Sequence, residues 1–330
     1  MKRVLITGAG GFIGLNTVRR FLAEGWFVHA MVRTKVPEEL ARFETEGRLS
    51  LLPLDMTDFP RLRKTMREIP RLDALVHCAG RASDVGRDRE FRQTNFLAIT
   101  ELAKNAPLLD TGIFVFVSTT DVYGLKDFSG ETEDELNFDD KAKNPYPRYK
   151  IMTERWLRNN MPPERYSIVR PAAVWGKDDP TLTRRIRDFL AASSWIVHFG
   201  RWKGTNRWPL AHVDRVAKAC YIAATNPKAH GLAFHVLDPE RTSIDEVYRR
   251  VSAEYLPGKQ FKSITLPMWF GFIIGAISTG IANLFNLDRP PWDPSLYALF
   301  SVSHNLDFSP KLFKELEKFN AEKPEKVELR

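Results

Sequence analysis

The sequence predicts an α/β protein, built on a doubly wound parallel sheet with a smaller unit toward the C-terminus. Three observations carry that expectation. The chain opens on a continuous apolar run, "VLIT", which turns through glycines into a segment of helical period. Short strand-like runs then alternate with helix-like segments at a steady rhythm. Finally, 330 residues are too many for one small core and suit one large α/β unit or a core plus a second domain.

In "KRVLITGAGGFIG" a strand buried on both faces leads into a glycine turn at Gly8, Gly10, Gly11 and Gly14, and then into "FIGLNTVRRFLAEG", a helix with a glycine stop. Small residues here let the backbone approach a pyrophosphate, and the free N–H groups at the start of the helix, around Phe12 and Ile13, point at it. The second strand, "WFVHAMVR", ends where an NAD enzyme would place a carboxylate for the adenosine ribose. Arg33 occupies that position, followed by Thr34 and Lys35. No acid is present and two cations face a prospective 2′-phosphate, so NADP is favoured and NAD stays open. "RLSLLPLDMTD" ends a third strand at Asp55 and Met56, and "LDALVHCAG" a fourth at Ala79 and Gly80, where a cofactor can lie close to the backbone. Asn95 falls in the following helix, "FRQTNFLAITELAKNA".

The fifth strand, "GIFVFVSTTDVYG", ends in the hydroxyls of Ser118, Thr119 and Thr120. After it comes "NPYPRYK". A helix beginning at Tyr146 carries Lys150 one turn on, on the same face, and Pro147 is tolerated in the first turn. A second pair of the same spacing, Tyr255 and Lys259 in "YLPGK", has proline and glycine inside it and cannot form that helix. A phenol with an ordinary pKa of roughly 10 is a poor base at neutral pH, and a neighbouring ammonium is expected to lower it.

This order of motifs resembles the extended branch of the short-chain dehydrogenase/reductase superfamily, the NAD(P)-dependent epimerase/dehydratase type, from residue 1 to about residue 240. The GxxGxxG spacing is that superfamily's variant of the dinucleotide fingerprint. The resemblance implies a Rossmann sheet, Tyr146 as acid/base, Lys150 as its partner and ribose ligand, and Thr119 as the hydroxyl that orients substrate. It implies that Asp55 meets the adenine amino group and that Asn95 is structural. "SIVRPAAVWG", with Pro171, resembles the strand and loop beside the nicotinamide. "AHVDRVAKA" resembles the family's "HVDD-A" segment, with His212 and Asp214 structural and Arg215 in place of an acid. The division expected is a dinucleotide-binding part at 1–178, joined by 205–240, and a substrate-binding part at 179–204 and 241–330.

Two departures bear on the substrate. "RPAAVWG" lacks the asparagine usual in sugar-nucleotide epimerases, and Arg207 is out of register with their diphosphate arginine, although Arg201, Lys203 and Arg207 remain available to phosphate. Residues 263–287, "SITLPMWFGFIIGAISTGIANLFNL", contain no charged residue. A buried or pocket-lining helix is the first expectation, peripheral membrane contact the second and a membrane span the third. The pattern of this segment, of "RPPWDPSLYALFSVSHNLDFSPKLFKELEKF" and of the closing helix is similar to the 3β-hydroxysteroid dehydrogenase-like group. A hydrophobic, sterol-like or polyketide-like alcohol or ketone is therefore expected, with a nucleotide-sugar epimerase, dehydratase or reductase as the alternative. A redox-sensing or scaffolding role ranks third, because Tyr146 and Lys150 are both kept.

The net charge of +8 suits an anionic ligand or an acidic membrane. No helix-turn-helix, RNA-binding or zinc-finger pattern is present, so no nucleic-acid partner is expected. Two cysteines, far apart in sequence, form neither a disulfide framework nor a metal knuckle; no metal is expected. The opening apolar run is broken too early for a signal peptide, and a cytoplasmic location, with membrane association left open, is the expectation. The superfamily resemblance adds a homodimer as an option.

Overall fold

A computed structural model describes residues 1–34 and 36–321. The first half alternates as expected: β1 (Arg3–Thr7), α1 (Phe12–Ala23), β2 (Phe27–Val32), α2 (Glu38–Thr45), β3 (Leu49–Pro53), α3 (Phe59–Glu68) and β4 (Leu72–His77). The helix expected next is three pieces, α4 (Asp88–Arg92), a π-helical turn at Gln93–Leu97, and α5 (Ala98–Asn105). Then come β5 (Leu108–Val117), β6 (Phe128–Glu131), α6 (Pro145–Asn160), β7 (Tyr166–Pro171) and β8 (Ala173–Trp175). The remainder is α7 (Leu182–Ala192), β9 (Trp195–Phe199), β10 (Leu210–His212), α8 (Val213–Thr225), β11 (Ala233–Val236), α9 (Ile244–Tyr255), β12 (Lys262–Leu266), α10 (Met268–Leu284), α11 (Leu296–Ser303), β13 (Leu306–Phe308) and α12 (Lys311–Ala321).

Seven strands form one sheet in the order β3-β2-β1-β4-β5-β7-β11, and every neighbouring pair is parallel. Successive side chains point to opposite faces, so each strand feeds two cores. Val4, Ile6, Val76 and Val115 meet α1, α2, α8 and α12 on one face. Leu5, Leu75, Phe114 and Phe116 meet α3, α5 and α6 on the other. Both faces are covered, which is why the strands read as unbroken apolar runs.

A third core sits beyond the strand ends. It joins Val122, Tyr123 and Phe128 to Ile186 and Leu190 of α7, to Val247 and Tyr248 of α9, and to Leu306 and Phe308. Around it β9 pairs with β12, β8 with β10 and β6 with β13, all in parallel.

The uncharged segment departs from its first expectation. Its first residues are strand β12, and the helix α10 buries Gly271, Gly275, Ser278 and Ala282 while Trp269, Phe272, Ile273, Ile277 and Leu284 face outward. The reason is the close approach of α11. A Cβ on Gly275 would sit 3.2 Å from the Leu296 amide, and one on Gly271 2.8 Å from a Leu299 methyl, so only small residues fit inward. Among the described residues, no helix is long and apolar enough to cross a membrane.

Candidate active site

The strand order reverses between β1 and β4, which opens a crevice at their C-terminal ends. Two loops meet there. Gly8 has φ +66°, and a Cβ on it would lie 2.8 Å from the Ala79 backbone. A Cβ on Gly14 would lie 2.0 Å from the Gly8 carbonyl oxygen, so α1 closes on the loop only through glycine. Gly10 and Gly11 are exposed, and Phe12 and Ile13 are half-buried. The helix starts at Gly11 with no side-chain cap and no acidic residue in its first turn, which leaves its amides and positive dipole end for an anion.

Around this cradle stand the other residues expected for cofactor. Arg33 is exposed just beyond β2. Asp55 accepts from the Thr57 amide at 2.9 Å and its hydroxyl at 2.7 Å. Burial pushes the Asp55 carboxyl up, but the Thr57 bonds and the charge of Arg33 outweigh it and hold the group below its usual range. Met56 is buried, Ala79 half-buried, Gly80 exposed, and Pro171 closes β7. Asn95 fastens the turn after Gly80: its side-chain oxygen accepts from the Arg81 amide at 2.7 Å and its nitrogen donates to the Arg81 carbonyl at 2.8 Å. That is the structural part expected of it. Lys35 lies outside the described residues. An uncapped helix start, a glycine-only approach and an exposed cation fit a dinucleotide.

Beside the cradle is the hydroxyl cluster. Asn144 caps α6, its side chain accepting from the Tyr146 amide at 2.8 Å, one residue earlier than a start at Tyr146 would require. Thr119 stands beside the Tyr146 phenol, and its hydroxyl accepts from the Asp121 amide at 3.2 Å. Lys150 is buried, lies 6.0 Å from the Tyr146 ring centre, and donates to the Val117 carbonyl at 2.6 Å. Tyr146, Thr119 and Lys150 are thus brought together at the end of β5. Ser118 is committed elsewhere, donating at 2.5 Å to Glu154, which pairs with Arg170.

The electrostatics correct one expectation. Lys150 does not lower the Tyr146 phenol here; burial pushes the phenol above its usual value, Asp121 adds to that, and the Thr119 hydroxyl opposes it. Lys150 is itself pulled down to about 8 by burial, against Cys78 and Glu154, which favour the ammonium. The phenol therefore keeps its proton at neutral pH.

A polar roof over this cluster escaped the sequence. Tyr297 donates to Asp121, whose carboxyl burial pushes up. Ser295 donates to Asp84 at 2.5 Å, and Arg185 bridges Asp84 and Asp293. Burial raises the Tyr297 phenol, with Asp121 and Tyr146 among the further causes, so Tyr297 stands within electrostatic reach of Tyr146. Asp121 was visible inside "STTDVYG", but Tyr297 is 176 residues away in sequence and carries no local signature.

Other candidates resolve plainly. His212 caps α8, and Asp214 is exposed. Arg201 is engaged by Asp127, and Arg207 donates to the Arg241 carbonyl at 2.9 Å. Tyr255 ends α9 while Lys259 donates to the Leu190 and Ala191 carbonyls, so that pair forms no site. Cys78 and Cys220, distant in sequence, are free thiols in the same apolar core. Among the described residues no group of histidine, cysteine and carboxylate side chains could hold a metal.

Fold and crevice together define a dinucleotide-binding oxidoreductase. The chain belongs to the NAD dependent epimerase/dehydratase family, whose model matches residues 4–236. It is 26% identical over 266 residues to the dTDP-4-dehydro-6-deoxy-D-allose reductase of Streptomyces bikiniensis, covering 76% of this chain and 81% of that one. It is also 26% identical over 267 residues to the 3 beta-hydroxysteroid dehydrogenase/Delta 5-->4-isomerase of Mycobacterium tuberculosis, covering 76% and 69%. In fold it is similar to the UDP-Glc/GlcNAc 4-epimerase of Campylobacter jejuni, with a TM-score of 0.68, 22% identity, and 96% and 93% of the two chains covered.

Proposed function

We propose that this enzyme transfers hydride between NADP(H) and the ketone or secondary alcohol of a hydrophobic substrate. The observation that carries the hydrophobic part is the state of the cations around the crevice. Arg185, in the roof, is neutralised by Asp84 and Asp293, and Arg81, next to Gly80, by Glu90 and Asp288. A nucleotide diphosphate would need such cations free; a neutral ketone does not. The Mycobacterium relative, named for a hydroxysteroid substrate, supports the same reading. Segments 179–204 and 241–321, the described residues of the expected substrate-binding part, would then form the substrate side of the cleft.

In ketone reduction Tyr146, which keeps its proton, donates it to the carbonyl oxygen, while Thr119 hydrogen-bonds that same oxygen and aligns it. Lys150, anchored on the Val117 carbonyl, holds a ribose hydroxyl and offsets the charge that develops on the phenol. When bound, the nicotinamide would supply or accept the hydride. Gly8, Gly11 and Gly14 would give a pyrophosphate its backbone cradle, and Arg33 would take a 2′-phosphate. Pro171, at the end of β7, would border the nicotinamide.

A second reading, a nucleotide-sugar reductase or epimerase, is supported by the Streptomyces relative and uses the same three residues. One set of measurements separates the two. NADPH oxidation is followed with hydrophobic ketones and with dTDP- and UDP-keto sugars, and any cofactor released on denaturing the purified protein is identified. Turnover of the ketones with preference for NADPH is expected, whereas tightly held NAD(H) with turnover of a sugar nucleotide overturns the proposal. Tyr146→Phe is expected to lower kcat by about a thousandfold while NADPH still binds.

A further inference from the structure

Helix α10 is inside out for a protein in water. A surface helix normally turns its large apolar residues to the core and its small or polar ones to solvent. Here the inward face is Gly271, Gly275, Ser278 and Ala282. The outward face, at helical spacing, is Trp269, Phe272, Ile273, Ile277 and Leu284, with Phe270 and Phe285 flanking it. Trp269 is 64% exposed, Ile277 51%, Leu284 74% and Phe285 66%. Scattered exposed apolar residues need no explanation, but a continuous face of this kind marks a contact with another apolar phase.

We propose that α10 docks the enzyme on an anionic lipid surface, lying in the interface with its outer face among the acyl chains. Three features favour lipid. Trp269 at the start of the helix and Trp292, 44% exposed and held beside Ser278 at mid-helix, are indoles of the kind that anchor at a membrane–water boundary. Exposed cations flank the helix: Lys262 on the strand leading in, Arg289 on the segment leading out, and Lys203 in the turn whose Gly200 lies against Met268. Among the described residues none of the three has an ion pair. The chain as a whole carries +8, and an anionic surface complements that charge. A second copy would press the same cations against each other, because a two-fold contact pairs identical patches. The inner face of α10 is packed on α11, so the helix lies on the protein and does not thread the bilayer.

The docking helix is also connected to the active-site roof. Ser278 donates to the Trp292 carbonyl at 2.6 Å, and Thr279 accepts from the Leu296 amide at 2.9 Å. Within the same stretch Asp293 holds Arg185, Ser295 holds Asp84 and Tyr297 holds Asp121. A lipid-dissolved ketone would therefore meet the roof from the membrane side.

The test is co-sedimentation of the full chain with phosphatidylcholine vesicles and with vesicles that also contain phosphatidylglycerol. Binding is expected to be several-fold stronger to the anionic vesicles and to weaken with salt. Combined Trp269→Ser, Phe272→Ser and Ile273→Ser substitutions are expected to lower partitioning about tenfold or more. Lys262→Glu with Arg289→Glu should remove the preference for anionic lipid. NADPH binding and the melting temperature, followed in parallel, should not change in either variant. These readouts are independent of turnover, so failure of docking is distinguishable from failure of the ketone assignment. Wild-type protein that ignores both vesicle types overturns the proposal. So does a triple variant that binds as well as wild type, or one that converts a dimer to a monomer while neither protein binds lipid.

Discussion

The sheet around β5 and the helix α10 treat water in opposite ways. At β5 the molecule buries full charges: Lys150, Glu154 and Arg170 are all in the interior, each with a partner. At α10 it exposes indole, phenyl and aliphatic groups that a core would welcome. A buried charge is costly unless hydrogen-bonded, and here each one is: Lys150 by the Val117 carbonyl, and Glu154 and Arg170 by each other. An exposed apolar face persists where the other side is not water. On the two proposals made above, the contrast separates a region organised around one atom's chemistry from a region organised around a surface.

The strongest way to break the first region is to strand one of its charges. Glu154 accepts from Arg170 at 2.5 and 3.0 Å, so Glu154→Ala leaves a buried guanidinium and should cost about 3–5 kcal/mol in denaturant unfolding. A backbone collision comes next. Gly14→Ala sets a methyl 2.0 Å from the Gly8 carbonyl oxygen, where no flexible side chain can yield. A loss of about 3 kcal/mol is expected, with cofactor binding impaired even in protein that folds. Protonation gives a subtler probe. Lys150 is held at about 8 and is a cation only below that, so kcat/KM for ketone reduction should fall above pH 8 by up to about tenfold per pH unit. Lys150→Arg, which stays charged, should remove that limb while lowering the rate at neutral pH. The uncharged segment around α10 carries nothing that titrates near this range, so vesicle binding should not follow it. The smallest effect belongs to α10 itself. A Cβ on Gly280 meets nothing within 4 Å, so Gly280→Ala should stabilise the protein by about 0.5–1 kcal/mol, in contrast to Gly14→Ala.

Much of this was legible in the chain because it is local. The fingerprint turn needs glycine at particular positions, and a strand covered on both faces reads as a continuous apolar run. Tyr146 and Lys150 are one helical turn apart, so their proximity follows from spacing alone. The strand order β3-β2-β1-β4-β5, by contrast, came only from the fold, because the chain crosses back from the edge strand β3 to place β4 beside β1. The roof was not legible, since Asp121 and Tyr297 meet only after the chain has folded. The raised Tyr146 phenol was missed for the same kind of reason: proximity to a lysine is visible in sequence, but how deeply the pair is buried is not. The helix 268–284 illustrates a third case. Its apolar content was plain, but which face turns inward depended on how closely α11 approaches.

By itself, then, the sequence determined the parallel sheet, the glycine cradle and the Tyr146–Lys150 pair, because each rests on contacts a few residues long or on a periodicity of two or 3.6. Only the tertiary structure decided three further things. Ser118 was withdrawn to Glu154, leaving Thr119 to the site. Arg185 and Arg201 were neutralised by carboxylates distant in sequence. The large residues of α10 were turned outward. All three are settled by which surfaces meet across long sequence separations, and burial and pairing exist only once those surfaces have met.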